Sequence, residues 1–291
     1  MTTPIVYLNG EFMPLHEARV PVLDRGFIFG DGVYEVIPVY TGVALRLGEH
    51  LRRLQASLDA IRLVNPLPDA AWREVLAQII AANEGDRQSI YIQVTRGPAP
   101  RDHAFPKQVT PTVFMMSNAL VTPHRDVVQK GVAAVTQIDN RWLRCDIKAT
   151  SLLPNVLLRQ SALDQGAAEC VLLRDGYVTE GAASNIFLVH DDTLLAPPKN
   201  HLMLAGITYD LVLELAGANA IPFEVRALPE SELLTAQEIM LTSSTREVLA
   251  ISTLNGKAVG NGTPGPVTLR LLSLYRAYIA ALGNGQEHER P

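Results

Sequence analysis

The chain has 291 residues, of which 47% are hydrophobic, enough to bury a sizeable core in two domains or in one large one. Its 25 basic and 30 acidic residues give a net charge of −5, which argues against nucleic acid or an anionic membrane as the main partner. No stretch approaches the ~20 apolar residues of a membrane helix, and the first residues lack the features of a signal peptide.

The first third of the chain predicts a hairpin, a strand and two helices. Two apolar runs meet at Asn9-Gly10, a dipeptide typical of a tight hairpin. The stretch GVYEVIPVY alternates as a strand does, and its proline, Pro38, indicates a sheet edge or a bulge. The apolar spacing then predicts a helix over 48–63 and a second helix over 70–85.

The middle of the chain predicts two strands joined by a long loop rich in glycine and proline, RGPAPRDHAFP. Periodicity is then lost in ALVTPHR, which indicates a domain joint. The predicted division is an N-terminal α/β domain at 1–118, a linker at 119–128, a strand-rich C-terminal α/β domain at 129–283 and a frayed polar tail at 284–291.

Several common catalytic motifs are absent from the sequence. There is no GxxxxGK[ST] loop, no GxSxG elbow, no HExxH and no His/Cys cluster at metal-ligand spacing, so no metal is expected. The stretch FGDGVYEV has only two glycines of a GxGxxG pattern, which argues against a dinucleotide site.

Lys148 ends the stretch RWLRCDIK, whose other residues are typical of a buried strand that runs into a turn. Burial lowers the pKa of a lysine, and the neutral amine is then a nucleophile toward an aldehyde. Pyridoxal phosphate (PLP) is an aldehyde cofactor that needs such a lysine, a group opposite its ring nitrogen and an anchor for its phosphate.

Residues suited to those other two tasks occur later in the chain. Glu180 ends a predicted strand, where a carboxylate could keep the pyridine nitrogen protonated. The candidates for binding the phosphate are two helix-start residues, two serines after an apolar strand and one arginine: Ile207, Thr208, Ser243, Ser244 and Arg53. Taken singly, the glutamate is as readily a turn residue, the helix start a simple cap and the arginine a surface residue. Only the combination of these residues indicates the cofactor.

These stretches resemble the fold-type IV PLP-dependent aminotransferases (class IV), and among them most closely the D-amino acid aminotransferases. The resemblance extends over nearly the whole chain, and RWLRCDIK and PRDH are its most specific parts, while GDGVYE is shared by the wider group. It implies a two-domain fold of α/β and α+β type with the active site between the domains. The other stretches that carry it are DRGF, EHLRRL, VTEGAASN, GIT and LTSST.

The resemblance also implies residue roles. Lys148 forms the Schiff base with PLP and shuttles the proton, and Glu180 binds the ring nitrogen. The phosphate positions are the five named above, and Leu204 packs near the ring. Because the family's arginine–histidine loop reaches in from the other subunit, a homodimer is implied. The positions expected to hold the substrate are Tyr34, Val36, Arg101 and His103.

The sequence departs from the family pattern at several positions. Ala182 and Ala183 replace serines of EGSSSN and lack their hydroxyls, and Ser244 replaces a threonine. Asp102 lies between Arg101 and His103, where it could partly neutralise the arginine. Pro38 replaces a lysine, so a less polar substrate pocket is expected.

The expected reaction is ping-pong transamination from a D-amino acid such as D-alanine to a keto acid such as 2-oxoglutarate. The enzymatic alternatives are branched-chain L-amino acid aminotransferase, (R)-selective amine transaminase and aminodeoxychorismate lyase, and the loop with Arg101 and His103 favours the D-amino acid enzyme. A protein that only binds the cofactor would need neither Lys148 nor Glu180. Two cysteines without a CxxC pair, Cys145 and Cys170, favour a cytoplasmic location.

Overall fold

The computed structural model describes residues 3–108 and 110–282, which form two compact units. Among these residues, none of the helices combines the length and the apolar character needed to cross a bilayer. The first unit contains residues 3–121 and Ile147–Leu152, and the second contains Thr122–Asp146 and Leu153–Ala281.

The linear division into two domains with a linker stays a prediction. The structure adds that the short segment Ile147–Leu152, which includes Lys148, belongs to the first unit although it follows the start of the second in the chain. The predicted frayed tail at 284–291 lies outside the described residues.

The first unit is a six-stranded antiparallel sheet in the order β2-β1-β6-β5-β3-β4, with two long helices packed against it. Of the apolar residues whose spacing predicts the helix over 48–63, Leu51, Leu54 and Leu58 are buried in its core, and Ile61 packs against that core partly buried. Its elements are β1 (Ile5–Leu8), β2 (Glu11–Pro14), α1 (Arg25–Phe29), β3 (Gly32–Tyr40), β4 (Val43–Ala44), α2 (Leu47–Ala60), α3 (Asp69–Ala82), β5 (Arg87–Thr95) and β6 (Thr112–Ala119).

The predicted hairpin at Asn9-Gly10 is confirmed, and both residues have positive φ (51° and 103°), as a two-residue turn requires. Pro38 lies in β3, whose outer neighbour β4 has only two paired residues, and β3 pairs with β5 through Pro38 without a bulge. Pro38 is thus neither at a bulge nor in the outermost strand: β3 lies next to the edge strand β4, so the prediction of an edge or a bulge is wrong by one strand. Helix α3 ends at Ala82 rather than Gly85, because the Asn83 side chain hydrogen-bonds the backbone of Ile5 and turns the chain toward β1.

The second unit is a nine-stranded mixed sheet in the order β12-β11-β10-β13-β14-β7-β8-β9, with β15 beside β14. Strand β7 runs parallel to both of its neighbours, whereas β9, β10 and β13 lie in antiparallel pairs. Its elements are α4 (Arg125–Lys130), β7 (Val132–Ile138), α5 (Leu153–Asp164), β8 (Glu169–Arg174), β9 (Tyr177–Gly181), β10 (Asn185–His190), β11 (Thr193–Ala196), α6 (Ile207–Ala218), β12 (Phe223–Val225), α7 (Glu230–Thr235), β13 (Glu238–Ser243), β14 (Glu247–Leu254), β15 (Lys257–Ala258) and α8 (Pro266–Leu282).

Candidate functional site

In the first unit, the backbone of Lys148 is fixed by β3 and α2. The Tyr34 amide donates to the Lys148 carbonyl at 2.9 Å, and the Lys148 amide donates to Ser57 Oγ at 3.3 Å. The half-buried side chain lies over the Tyr34 ring, with Nζ 4.2 Å from the ring centroid. The structure thus brings together the predicted catalytic lysine and one of the predicted substrate-binding residues.

A buried ion pair lies on the neighbouring part of β3 and α2. The Glu35 carboxylate accepts from Arg53 Nε at 2.8 Å and Arg53 Nη2 at 2.7 Å, and from His50 Nδ1 at 2.8 Å. Burial acts to raise the pKa of Glu35, but the Arg53 guanidinium and His50 hold that pKa well below its usual range. Glu35 therefore orients the Arg53 guanidinium, which was predicted to bind phosphate. Burial also lowers the pKa of His50.

Two tyrosines line the sheet face that was predicted to hold the substrate. Tyr34 and Val36 are two residues apart on β3 and share a face, and their partners in register on β5 are Gln93 and Tyr91. The Tyr34 and Tyr91 rings lie 5.7 Å apart, and the Tyr91 hydroxyl donates to Gln93 at 2.7 Å. Burial raises the pKa of Tyr91 to about 12, so it is a neutral donor at ordinary pH.

Arg101 and His103 lie exposed on the loop between β5 and β6. Both contact Phe29, whose ring centroid is 5.5 Å from Arg101 Cζ and 5.3 Å from the His103 ring. The Asp102 carboxylate accepts from the Ala104 amide at 3.2 Å. The grouping of this loop with Tyr34 around a substrate stays a prediction.

In the second unit, Glu180 is a buried carboxylate at the end of β9. Its Oε1 accepts from Arg141 Nη1 at 2.5 Å, and its Oε2 accepts from the Leu204 amide at 3.1 Å. Arg141 also binds Asp139, with Nε and Nη2 at 2.9 Å from its oxygens. Burial raises the pKa of Glu180 to about 7, although Arg141 and the Leu204 amide favour the charged form. This carboxyl group can therefore bind a cation or a protonated ring nitrogen.

Asn185, at the start of β10, organises the residues around the N-terminus of α6. Its Nδ2 donates to the Leu204 carbonyl at 2.9 Å and to Glu180 at 3.4 Å. A Cβ on Gly206 would lie only 2.1 Å from Asn185 Oδ1, so glycine is needed for this close approach. Asn185 also pairs in register with Thr242, which places Ser243 at the same end of the sheet.

Helix α6 begins at Ile207 without a side-chain cap, and Ile207 and Thr208 are buried. The first amides of a helix have no partner within it and attract anions. The structure thus groups Glu180 and Leu204, two predicted cofactor-binding residues, around Asn185, beside Gly206. Gly206 directly precedes two more of them, Ile207 and Thr208. Ser243 Oγ accepts from the Arg246 amide at 3.2 Å in the turn that also contains Ser244.

Each unit carries groups that suit parts of a phosphorylated aldehyde cofactor. The first offers an amine at Lys148. The second offers a buried carboxyl at Glu180 and an uncapped helix start at Ile207 for a phosphate. In addition, Nε2 of fully buried His50, one helical turn from Arg53, has no hydrogen-bond partner among the described residues. A bound polar group would satisfy such an atom.

Gly206→Ala is expected to weaken PLP binding by about tenfold, because the new Cβ displaces the Asn185 carboxamide and with it its bonds to Leu204 and Glu180. The measurement is a PLP titration of the cofactor-free protein followed by absorbance. Gly217→Ala is the matched control, since a Cβ there meets nothing closer than Phe223 at 3.5 Å and alanine favours the helix. Equal affinities for the two variants would contradict a role of Gly206 at the cofactor.

Four of the site's residues were not assigned a role from the sequence: Glu35, His50, Arg141 and Asn185. Signals for all four were present. Arg141 begins the motif RWLRCDIK, Asn185 ends VTEGAASN, and His50 lies one helical turn before Arg53. Glu35 ends GDGVYE, the stretch shared by the wider group.

Known proteins resemble this chain over nearly its full length. The model of the Amino-transferase class IV family matches residues 32–254. The chain is 40% identical over 263 residues to a D-alanine aminotransferase of Bacillus licheniformis, covering 90% of this chain and 93% of the relative. It is 36% identical over 275 residues to one of Staphylococcus haemolyticus, covering 94% and 97%. A solved branched-chain amino acid aminotransferase of T.th., complexed with N-(5'-phosphopyridoxyl)-L-glutamate, is similar with a TM-score of 0.88 and 26% identity, covering 97% of this chain and 95% of that one.

Proposed function

Because this chain belongs to the class IV aminotransferases, PLP-dependent enzymes, we propose that it moves the amino group of a D-amino acid such as D-alanine to a keto acid such as 2-oxoglutarate. The observation that carries the proposal is the similarity to D-alanine aminotransferases over nearly the full length of both chains. The two substrates use the site in turn, in a ping-pong sequence. The exposed Arg101–His103 pair supports a substrate with a carboxylate.

Lys148 is proposed as the residue that binds the cofactor covalently and moves the proton at the substrate Cα. Its fixed backbone and its place beside Tyr34 support this role, because proton transfer needs a positioned amine. When bound, PLP supplies an aldehyde to the amine and a protonated ring that withdraws electrons from Cα. Glu180 is proposed to hold the proton on the ring nitrogen, with Arg141 and Leu204 fixing its two oxygens.

The phosphate of the cofactor is proposed to bind the α6 amides of Ile207 and Thr208, the β13 turn with Ser243 and Ser244, and Arg53. The uncapped start of α6 and the orientation of Arg53 by Glu35 support this assignment. Leu204 would lie beside the ring, since its amide already bonds the carboxylate proposed to meet the ring nitrogen.

The substrate carboxylate is proposed to bind Tyr34 together with Arg101 and His103 of a second subunit, beside Val36. The exposed side chains of residues 101–105 support action on another copy of the chain. The same unit exposes apolar side chains that a homodimer would cover, among them Val22 (73% exposed) and Phe27 (76%). A cytoplasmic location is also proposed, and the two free cysteines, Cys145 and Cys170, support it.

A branched-chain L-amino acid aminotransferase is the second candidate. The structural similarity to such an enzyme favours it, as does the sheet face on which Pro38 takes the place of a lysine. A donor panel of D-alanine, L-leucine and (R)-1-phenylethylamine separates the candidates. Wild-type protein that prefers L-leucine or the amine over D-alanine would overturn the D-amino acid assignment.

Arg101→Ala is expected to lower kcat/KM for D-alanine by about ten- to a hundredfold, because a charge-assisted bond to a carboxylate contributes roughly 1.5–3 kcal/mol. The amine has no carboxylate, so its rate should be unchanged or higher. The reaction is best followed as the first half-reaction, by the absorbance of the cofactor, because the keto acid acceptor also carries a carboxylate. His103→Ala should act in the same direction and less strongly, since an imidazole offers fewer donors than a guanidinium.

Arg19→Ala is a suitable control for the Arg101 variant. Arg19 is an exposed arginine of the same unit whose hydrogen bonds, within the part of the chain that the structure describes, go to the neighbouring carbonyls of His16 and Ala18. Its removal should leave the rates with both donors unaffected. If Arg101→Ala instead slowed D-alanine and the amine equally, Arg101 would have a structural role and the carboxylate assignment would fail.

A further inference from the structure

The backbone of the loop that carries Arg101 and His103 is bound by one buried arginine, Arg25. Its Nη1 donates to the carbonyls of Asp102 at 2.5 Å and Ala104 at 3.3 Å, and its Nη2 makes a longer contact of 3.5 Å to the His103 carbonyl. Arg25 is 3% exposed, so it cannot itself meet a substrate. Its bonds fix the three consecutive residues that follow Arg101.

Arg25 is held in turn by Asp31. The carboxylate accepts from Arg25 Nε at 2.7 Å and from Arg96 Nε at 2.8 Å. Burial acts to raise the pKa of Asp31, but the two guanidinium groups lower it, so it stays charged. The Asp31 carboxylate thus binds both arginines. The remaining N–H groups of Arg25 donate to carbonyls of the loop, and those of Arg96 donate to the carbonyls of Ile61 and Arg62.

Phe29 connects Arg25 to the side chains of the loop. Its ring lies 4.8 Å from Arg25 Cζ and also contacts Arg101 and His103. The loop is thus bound through its carbonyls by Arg25 and through its two functional side chains by Phe29. Both residues belong to α1, a five-residue helix whose start is fixed because Asp24 caps Gly26 and accepts from Thr112.

We propose that Arg25, together with Phe29, is a positioning residue that holds Arg101 and His103 in the arrangement that binds the substrate carboxylate. The proposal rests on the carboxylate-binding role proposed above for those two residues. Neither Arg25 nor Phe29 touches the reacting atoms. Both act by keeping the loop in its binding shape before the substrate arrives.

The physical reason is the cost of ordering a loop. A loop without secondary structure loses backbone and side-chain freedom when its side chains close on a ligand, and this loss is subtracted from the binding free energy. Carbonyl bonds to a buried guanidinium remove that freedom in advance, and a bond to a charged group is stronger than one between neutral groups. Loss of Arg25 should therefore weaken substrate binding and leave the chemical step unchanged.

The test compares Arg25→Lys with Arg96→Lys in the PLP-loaded enzyme. A lysine ammonium keeps the charge but cannot bond Asp31 and three carbonyls together. Arg96→Lys loses a two-pronged bond to Asp31, where Arg25 makes a single bond through Nε, and keeps a cation on the Phe105 ring. Arg96 makes no bond to the carbonyls of residues 102–104. The readouts are the half-saturation constant and the limiting rate of the D-alanine half-reaction, and competitive inhibition by propionate, a carboxylate without an amine.

Arg25→Lys is expected to raise the half-saturation constant for D-alanine and the inhibition constant of propionate about tenfold each, with the limiting rate and PLP affinity nearly unchanged. Arg96→Lys should raise the half-saturation constant for D-alanine and the inhibition constant of propionate much less. Hydrogen exchange of the peptide covering residues 99–106 should be faster in Arg25→Lys than in Arg96→Lys. A purely structural defect would lower the limiting rate and PLP affinity as well.

Equal constants for the two variants, or a fall confined to the limiting rate, would overturn the proposal while the proposed function stands. A wild-type enzyme that does not react with D-alanine would overturn both. If Arg25→Lys is insoluble, Phe29→Leu decides, since it removes the ring under Arg25, Arg101 and His103. Phe29→Leu should also weaken the binding of D-alanine and of propionate. An unchanged half-saturation constant and an unchanged inhibition constant would overturn the proposal.

Discussion

Lys148→Ala should still bind PLP and lose nearly all turnover, by at least about 10³-fold, because it removes both the covalent attachment and the group that moves the Cα proton. The fold should survive, since the bonds that fix this segment come from its backbone, to Tyr34 and Ser57. The measurement is steady-state transamination together with the absorbance band of lysine-bound cofactor, which the variant should lack.

Borohydride treatment of the wild type supplies the direct test. It should attach the cofactor permanently to the peptide that contains Lys148, as mass spectrometry of a digest would show. Lys199→Ala is the control, because Lys199 pairs with Asp210 on the surface and should be dispensable. Cofactor found on any other lysine would contradict the assignment of Lys148.

Local sequence signals predicted the elements of the first unit well. Asn9-Gly10 and the leucine spacing of α2 are short-range patterns, and the structure has the turn and the buried helix face that they indicate. The end of α3 was wrong by three residues because it depends on Asn83 bonding Ile5, 78 residues away. The membership of Ile147–Leu152 in the first unit is likewise a matter of tertiary contacts, on which local patterns carry no information.

The candidate site divides in the same way. Lys148, Glu180 and Arg101 could be proposed from the sequence because the side chain of each suits one part of the expected chemistry. The residues that hold them were missed because their partners are distant in sequence. Arg141 bonds Glu180 across 39 positions, and Arg25 bonds the Asp102 carbonyl across 77. A sequence shows which groups can do the chemistry, while the fold decides which groups hold them in place.

Glu180→Gln is expected to lower kcat by about 10²–10³-fold, the usual effect of removing one preorganised electrostatic contact. The amide keeps the shape of the side chain but cannot stabilise a proton on the ring nitrogen as a carboxylate does. PLP should remain bound, because the phosphate contacts proposed for α6 and the β13 turn do not involve Glu180. The measurement is kcat for D-alanine with 2-oxoglutarate, beside a PLP titration. An unchanged kcat would mean that the activation of Cα does not depend on Glu180.

Unfolding of the cofactor-free wild type and of the Glu180→Gln variant over a series of pH values tests whether the loss of kcat comes from damage to the fold. Burial raises the pKa of Glu180 from 4.5 to about 7 against the opposing charge of Arg141, so between these values the folded wild type binds more protons than the unfolded chain. Its stability therefore falls as pH rises through this interval, by about 1.4 kcal/mol per pH unit, and the glutamine variant is free of this loss. His50 and the other titrating groups are present in both proteins, so their contributions cancel in the difference between the two free energies of unfolding. Between pH 5 and pH 8, the free energy of unfolding of the variant should rise relative to that of the wild type by an amount on the order of 3 kcal/mol, as measured by chemical unfolding. A difference in stability that does not change with pH would mean that Glu180 is already ionised in the folded protein and is not held neutral by its burial.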